Sequence, residues 1–181
     1  LLLISLFSYS PEDPNFIFPE NMEIKNILGF KGSFISDLFF QSLGLISFLI
    51  PISFIFIGIN IFLIKKIFPI IESLFYITLY SILGSLFFSS FYSNAFKFYI
   101  NGNGGFVGKY MESTFLNSLI NINTHISYYF LIIIILLLFF ISIKFNIKSF
   151  LKLSNKILSI IFTKKEKNYT NKNEIINEYI P

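Results

Sequence analysis

The sequence predicts an all-α membrane protein with four transmembrane helices, the first truncated, plus short interfacial helices. Two observations carry this reading. Leu38–Ile64 contains no Asp, Glu, Lys, Arg or His, and Ser73–Phe96 and Ile126–Ile143 are similar runs. A helix crossing a hydrocarbon core of roughly 30 Å needs about 20 mainly apolar residues. The second observation is composition: 54% of residues are hydrophobic and the mean hydropathy is +0.71. Those values exclude a disordered chain and do not suit an ordinary soluble domain. With no Cys, disulfides and thiol chemistry are excluded too. All fourteen basic residues are Lys, and Phe, Ile and Asn are abundant, a bias of the kind an AT-rich coding sequence imposes.

The first crossing is expected at Leu1–Ser8. It is too short to span and lacks the basic flank of a signal peptide. Since the chain opens on Leu1 and not Met, a fragment is expected. The loop Tyr9–Ser36 carries Pro11, Pro14 and Pro19 among acidic and Asn residues, and reads as irregular and extracytoplasmic. Gly29 and Gly32 are expected in a tight turn feeding the second helix, where backbone freedom is needed. Asp37 then serves as cap and interface anchor; an ion or substrate site there lacks a second acid nearby in sequence.

The second crossing is expected at about Leu38–Leu63, kinked by Pro51 near its centre. Gly44, Ser47 and Gly58 line it, and Ser81, Gly84, Ser85 and Ser89 stud the third, about Ser73–Ser93. Small residues permit close helix approach, either as packing features or as self-association surfaces. The second outside loop, about Asn94–His125, contains Gly102, Gly104, Gly105 and Gly108. These loosely resemble a phosphate-binding loop, but Lys109 is followed by Tyr110 and not by Ser or Thr. A flexible or re-entrant turn is the reading adopted. Met111, Phe115, Leu119 and Ile122 then recur at near-helical spacing beside Leu116 and Ile120, predicting a short helix at the membrane surface.

The fourth crossing is expected at about Ile126–Ile143. Beyond it Lys144, Lys148, Lys152 and Lys156 recur every four residues, with Ile147, Phe150, Leu151, Leu158 and Ile161 on an adjoining face. This predicts a basic amphipathic helix (144–162) continuing the crossing. Its partner is the anionic inner leaflet, at about 1 kcal/mol per nearby Lys. The apolar face argues against DNA, whose phosphates would also attract Lys. The membrane domain is thus expected over 1–162, and 163–181 as the start of a flexible cytoplasmic linker.

Ten Lys fall in the connector at Lys65 and Lys66 and in the tail, against four in the opposite loops, which hold six acids. Basic residues near helix ends favour the cytoplasmic face, so both termini are expected to be cytoplasmic. No ionisable group lies in the middle of a crossing, where transporters and pumps need one. With one His and no Cys, no metal-ligand cluster or catalytic triad is expected. Neither a catalytic residue nor a cofactor is therefore assigned.

Several segments carry a family resemblance. Ser8-Tyr9-Ser10-Pro11-Glu12-Asp13-Pro14 leaves the first helix. Asn26-Ile27-Leu28-Gly29-Phe30-Lys31-Gly32-Ser33 precedes Asp37-Leu38-Phe39-Phe40; Gly44 and Pro51 follow, and Gly104-Gly105-Phe106-Val107-Gly108 comes after the third helix. Over about Leu1–Phe162 the chain resembles the N-terminal four-helix membrane domain of FtsK/SpoIIIE-type bacterial DNA translocases. Ser36 and Ser33 stand where that family usually has Ala, both small-for-small changes. The resemblance implies structural motif roles for Pro11, Asp13, Pro14, Asn26, Gly29, Gly32, Asp37, Pro51, Gly104, Gly105 and Gly108. It implies a multi-pass inner-membrane anchor at the division septum, with divisome membrane proteins as partners and a homo-oligomer formed through the parent motor. The ATP-driven DNA pump is not expected in these residues, which hold neither a P-loop nor a Walker B segment. No direct DNA binding and no enzymatic activity is expected of this chain. The rival expectation is a small integral subunit of a transporter or respiratory complex.

Overall fold

The computed structural model describes residues 1–14, 23–64, 69–93 and 101–144. Among these the chain forms α1 (Leu2–Phe7), α2 (Gly29–Leu43), a 3-10 turn (Gly44–Phe48), α3 (Leu49–Ile64), α4 (Pro69–Tyr92), α5 (Gly105–Glu112), α6 (Phe115–Ile122) and α7 (Thr124–Ser142), with no strand. Among the described residues, three stretches are long and apolar enough to cross a membrane: Gly29–Phe62, Ile70–Tyr92 and Thr124–Ser142. The all-α membrane fold therefore stands, and α4 and α7 lie within a few residues of the third and fourth expected crossings.

The second crossing differs from expectation at both its start and its break. The helix begins at Gly29, so Asp37 lies in mid-helix and is buried, while Leu28 holds the N-cap position. Asp37 is thus not a cap. The break comes at Gly44, whose φ of +74° no other residue adopts cheaply, and the chain tightens into the 3-10 turn there. Pro51 falls in the first turn of α3, where its missing N–H has no helical partner to lose. It therefore does not set a mid-helix kink. One straight helix of 34 residues would run about 50 Å at 1.5 Å per residue. That exceeds a hydrocarbon core of roughly 30 Å, and the break divides it.

The interior is built around α4, which packs most extensively against α7 and α5. Tyr80 is fully buried, with its hydroxyl 2.9 Å from Ser53 Oγ on α3 and its ring edge-on to Phe139 of α7. Ile46, Ile50, Ile57, Ile77, Leu86 and Leu131 fill the space around it. Hydroxyls and amides bond across the helices where lipid offers no substitute partner. Asn60 Nδ2 donates to Ile143 O at 2.9 Å, and the Tyr92 and Tyr128 hydroxyls meet at 2.8 Å.

α7 ends at Ser142, and Lys144 adopts a positive φ of 50°. The fourth crossing therefore does not run on as one helix into the basic segment; the turn interrupts it. Lys148, Lys152 and Lys156, the rest of that segment and the expected 162/163 domain boundary lie outside the described residues.

Candidate functional site

The first cluster gathers the motif of the first loop. Asp13 is buried and accepts two backbone N–H groups, Lys25 N at Oδ1 (2.9 Å) and Asn26 N at Oδ2 (2.8 Å). A carboxylate between two amides is a strong charge-assisted arrangement. Asn26, 4% exposed, donates through Nδ2 to Ser5 O (2.9 Å) and to Ser36 Oγ (3.5 Å), while its Oδ1 accepts Leu28 N (3.1 Å). Ser5 Oγ donates to Gly32 O at 2.6 Å, and Ser33 Oγ donates to Pro14 O at 2.8 Å. A side chain on Gly32 would overlap the Asn26 amide and come within 2.5 Å of Leu28 Cβ. Asp13, Pro14, Asn26, Gly32, Ser33 and Ser36 thus close one buried polar clasp, which fastens α1 and the first loop onto α2.

Gly29 opens α2 at φ +66° with open space around its Cβ position, so its role is conformational. Pro11 is exposed in the turn. Beside it Glu12 and Lys25 form an ion pair at the surface, both largely solvent-accessible. The hydrogen bond and charge of Lys25 hold the Glu12 carboxyl below its ordinary value, and the same contacts push the Lys25 ammonium up.

Asp37 links the clasp to the second cluster. Tyr9 OH donates to Asp37 Oδ1 at 3.0 Å, and Gln41 Nε2 reaches the same oxygen at 3.4 Å. Gln41 in turn accepts Asn101 N at its Oε1 and Asn101 Nδ2 at its backbone oxygen, each at 3.2 Å. A continuous polar chain therefore joins the first loop to the second through one face of α2.

The second cluster explains the glycine run. Gly104 caps α5, and Gly104 and Gly108 press against the Ser85–Ser89 turn of α4; a Cβ at either position would overlap Ser85 O. Gly105 lies as tightly on Ser42 and Leu43. Two small-xxx-small steps thus face each other, letting backbones approach to contact. The run is a packed helix start and not the flexible turn expected. Gly44 belongs to the same seam: its Cβ position is filled by the Asn103 carbonyl, which accepts Leu45 N at 2.9 Å. Ser89 Oγ bonds the Glu112 carboxylate, Asn103 Nδ2 bonds Tyr92 O, and Ser85 Oγ donates to Leu43 O at 2.8 Å. Ser81, Gly84, Ser85 and Ser89 face inward, so they do not form a self-association surface; Gly58 alone of the expected small residues points into open space.

Pro51 is buried in α3 beside α1. Lys144 Nζ donates to Glu72 Oε2 at 2.7 Å, tying the end of α7 to the start of α4. Sequence reasoning missed Ser5, Gln41, Asn101 and Asn103. Each is a polar residue inside an apolar or glycine-rich stretch, a local signal of burial that does not name its distant partner. Among the described residues, no three His, Cys, Asp or Glu side chains converge as a metal site. What the arrangement does is mechanical: it ties the described parts of two loops to a broken crossing.

Residues 1–157 match the family described as the 4TM region of DNA translocase FtsK/SpoIIIE. No curated protein and no solved structure matches the chain.

Proposed function

The chain belongs to the family of the 4TM region of DNA translocase FtsK/SpoIIIE, and on that premise we propose that it anchors a cell-division DNA translocase in the bacterial inner membrane and targets it to the division septum. The family match over residues 1–157 carries this reading, since it covers every membrane-crossing stretch described. Pumping of DNA belongs, in this reading, to an ATP-driven motor outside these residues, through which the anchors are brought together as a homo-oligomer. The lysine asymmetry supports cytoplasmic termini, with both described loops outside. The clasp and the glycine seam support a recognition role for those loops: the described parts of both are hydrogen-bonded or packed against α2, and a preorganised surface binds divisome membrane proteins with little ordering cost. The Lys-rich segment after α7 is proposed to rest on the anionic inner leaflet.

A fluorescent fusion to the C-terminus of the chain, expressed at low level in a dividing bacterium, tests this. The expected image is a band at the septum. Uniform fluorescence around the whole envelope, with the fusion intact in membranes, contradicts septal targeting.

A further inference from the structure

Between α4, α6 and α7 lies a groove of about 300 Å³. Its walls are Leu83 and Leu86 on α4, Leu116 and Leu119 on α6, and Phe130 and Ile134 on α7. The hydroxyl proton of Ser127, also on the wall, is already donated to Ile120 O at 3.1 Å. Among the described residues, no charged side chain lines the groove. Water in such a space lacks the two to four polar partners that hold it, and apolar cavities stay dry and take up apolar molecules. Left empty, the walls would forfeit their dispersion contacts on that side.

The surroundings say what fills it. α4 and α7 are long and apolar enough to cross a membrane. The wall residues Phe130 and Leu119 are themselves exposed at its mouth; Ile126, Ile133 and Leu137 share the α7 face of Phe130 by helical spacing, Phe115 and Ile122 share the α6 face of Leu119, and all five are exposed. Hydrocarbon chains are what that surface meets in a bilayer. We propose that the groove holds one acyl chain of a membrane phospholipid, clamped beneath α6. A helix of eight residues is marginal by itself, so α6 keeps its place through what packs under it, and the chain completes that layer. With no free polar group on the walls, the site selects hydrocarbon and not a headgroup.

The protein contains no Trp, so one introduced indole reports its own surroundings. Ile134→Trp places it on the half-buried groove wall; Ile133→Trp places it on the neighbouring exposed face as a reference. The full chain in detergent micelles is titrated with phosphatidylcholine brominated on its acyl chains. Quenching of Ile134→Trp should saturate at equimolar lipid, and should do so equally with brominated phosphatidylglycerol. Quenching of Ile133→Trp should rise with lipid fraction without saturating. Adding Leu116→Phe, which fills the groove, should remove the saturable phase; if circular dichroism shows that variant unfolded, Leu83→Phe fills the groove from the α4 side and gives the same reading. Unsaturable quenching at both positions, or a saturable phase that survives filling, overturns the proposal. So does crosslinking that shows a second copy of the chain seated at position 134 while the indole stays unquenched.

Discussion

Asn26 is the residue on which the clasp turns. Its side chain reaches α1 at Ser5, α2 at Ser36 and its own loop at Leu28, and its N–H is held by Asp13. Asn26→Ala would leave Ser5 O and Leu28 N without those partners. Orphaning buried polar groups costs about 1–3 kcal/mol, so the thermal midpoint in detergent should fall clearly. Glu12→Gln is the contrast. Glu12's carboxyl is depressed in the folded state, so its contribution exists above the unfolded carboxylate value and is lost as pH falls through the folded one. Lys25's ammonium is raised, so its contribution exists below the unfolded ammonium value and is lost as pH rises through the folded one. Near neutral pH the pair is therefore intact, but it is solvent-exposed, and exposed pairs contribute little. The midpoint of Glu12→Gln should match the parent at pH 7 in physiological salt; a drop as large as that of Asn26→Ala would contradict the assignment of stability to the buried clasp. Asp13, Asn26 and Gly32 were legible in the sequence as one motif. Ser5 was not, because a serine in a short apolar run has no local pattern that names its partner 27 positions away.

At the scale of elements, the seam between α4 and α5 depends on the absence of side chains. Gly108→Leu forces a side chain into the Ser85 carbonyl, and overpacking of this kind costs about 1–3 kcal/mol, sometimes more. Gly58→Leu on α3 meets nothing within 4 Å and should stay within about 0.5 kcal/mol of the parent. The fraction of monodisperse protein after mild heating, read by size exclusion, separates the two; equal loss would remove the packing argument. The long crossings were legible because a bilayer forbids charge over most of a span, and that constraint is written in the sequence itself. The start of α2 was not. Lys31 and Asp37 end the charge-free run, yet the helix continues through them, because Tyr9 and Gln41 supply partners for the carboxylate. The break was misplaced for a related reason. Pro51 is the visible helix breaker, but the first turn of a helix tolerates it, whereas Gly44 breaks the helix through contact with Asn103, a residue 59 positions further on.

For the whole molecule, the polar chain from Tyr9 through Asp37 and Gln41 to Asn101 puts the two loops on one end of the bundle. The Glu72–Lys144 pair ties α4 and α7 together at the other end. The proposed role as an anchor for a DNA motor requires that polarity: the loops away from the cytoplasm and the tail within it. The lysine distribution supports the proposed direction, and the fold keeps the described parts of the loops together whichever way the direction runs. The chain has no Cys, so single cysteines report sidedness without background. The decisive measurement is labelling of intact cells, or of spheroplasts where an outer membrane intervenes, with a membrane-impermeant maleimide. Glu12→Cys and Ser113→Cys are placed in the two exposed loops, and Asn171→Cys in the tail. Labelling at Glu12→Cys and Ser113→Cys, with Asn171→Cys labelled only after lysis, is the predicted result. Labelling of Asn171→Cys before lysis, with either loop position protected until lysis, would contradict the anchor as drawn.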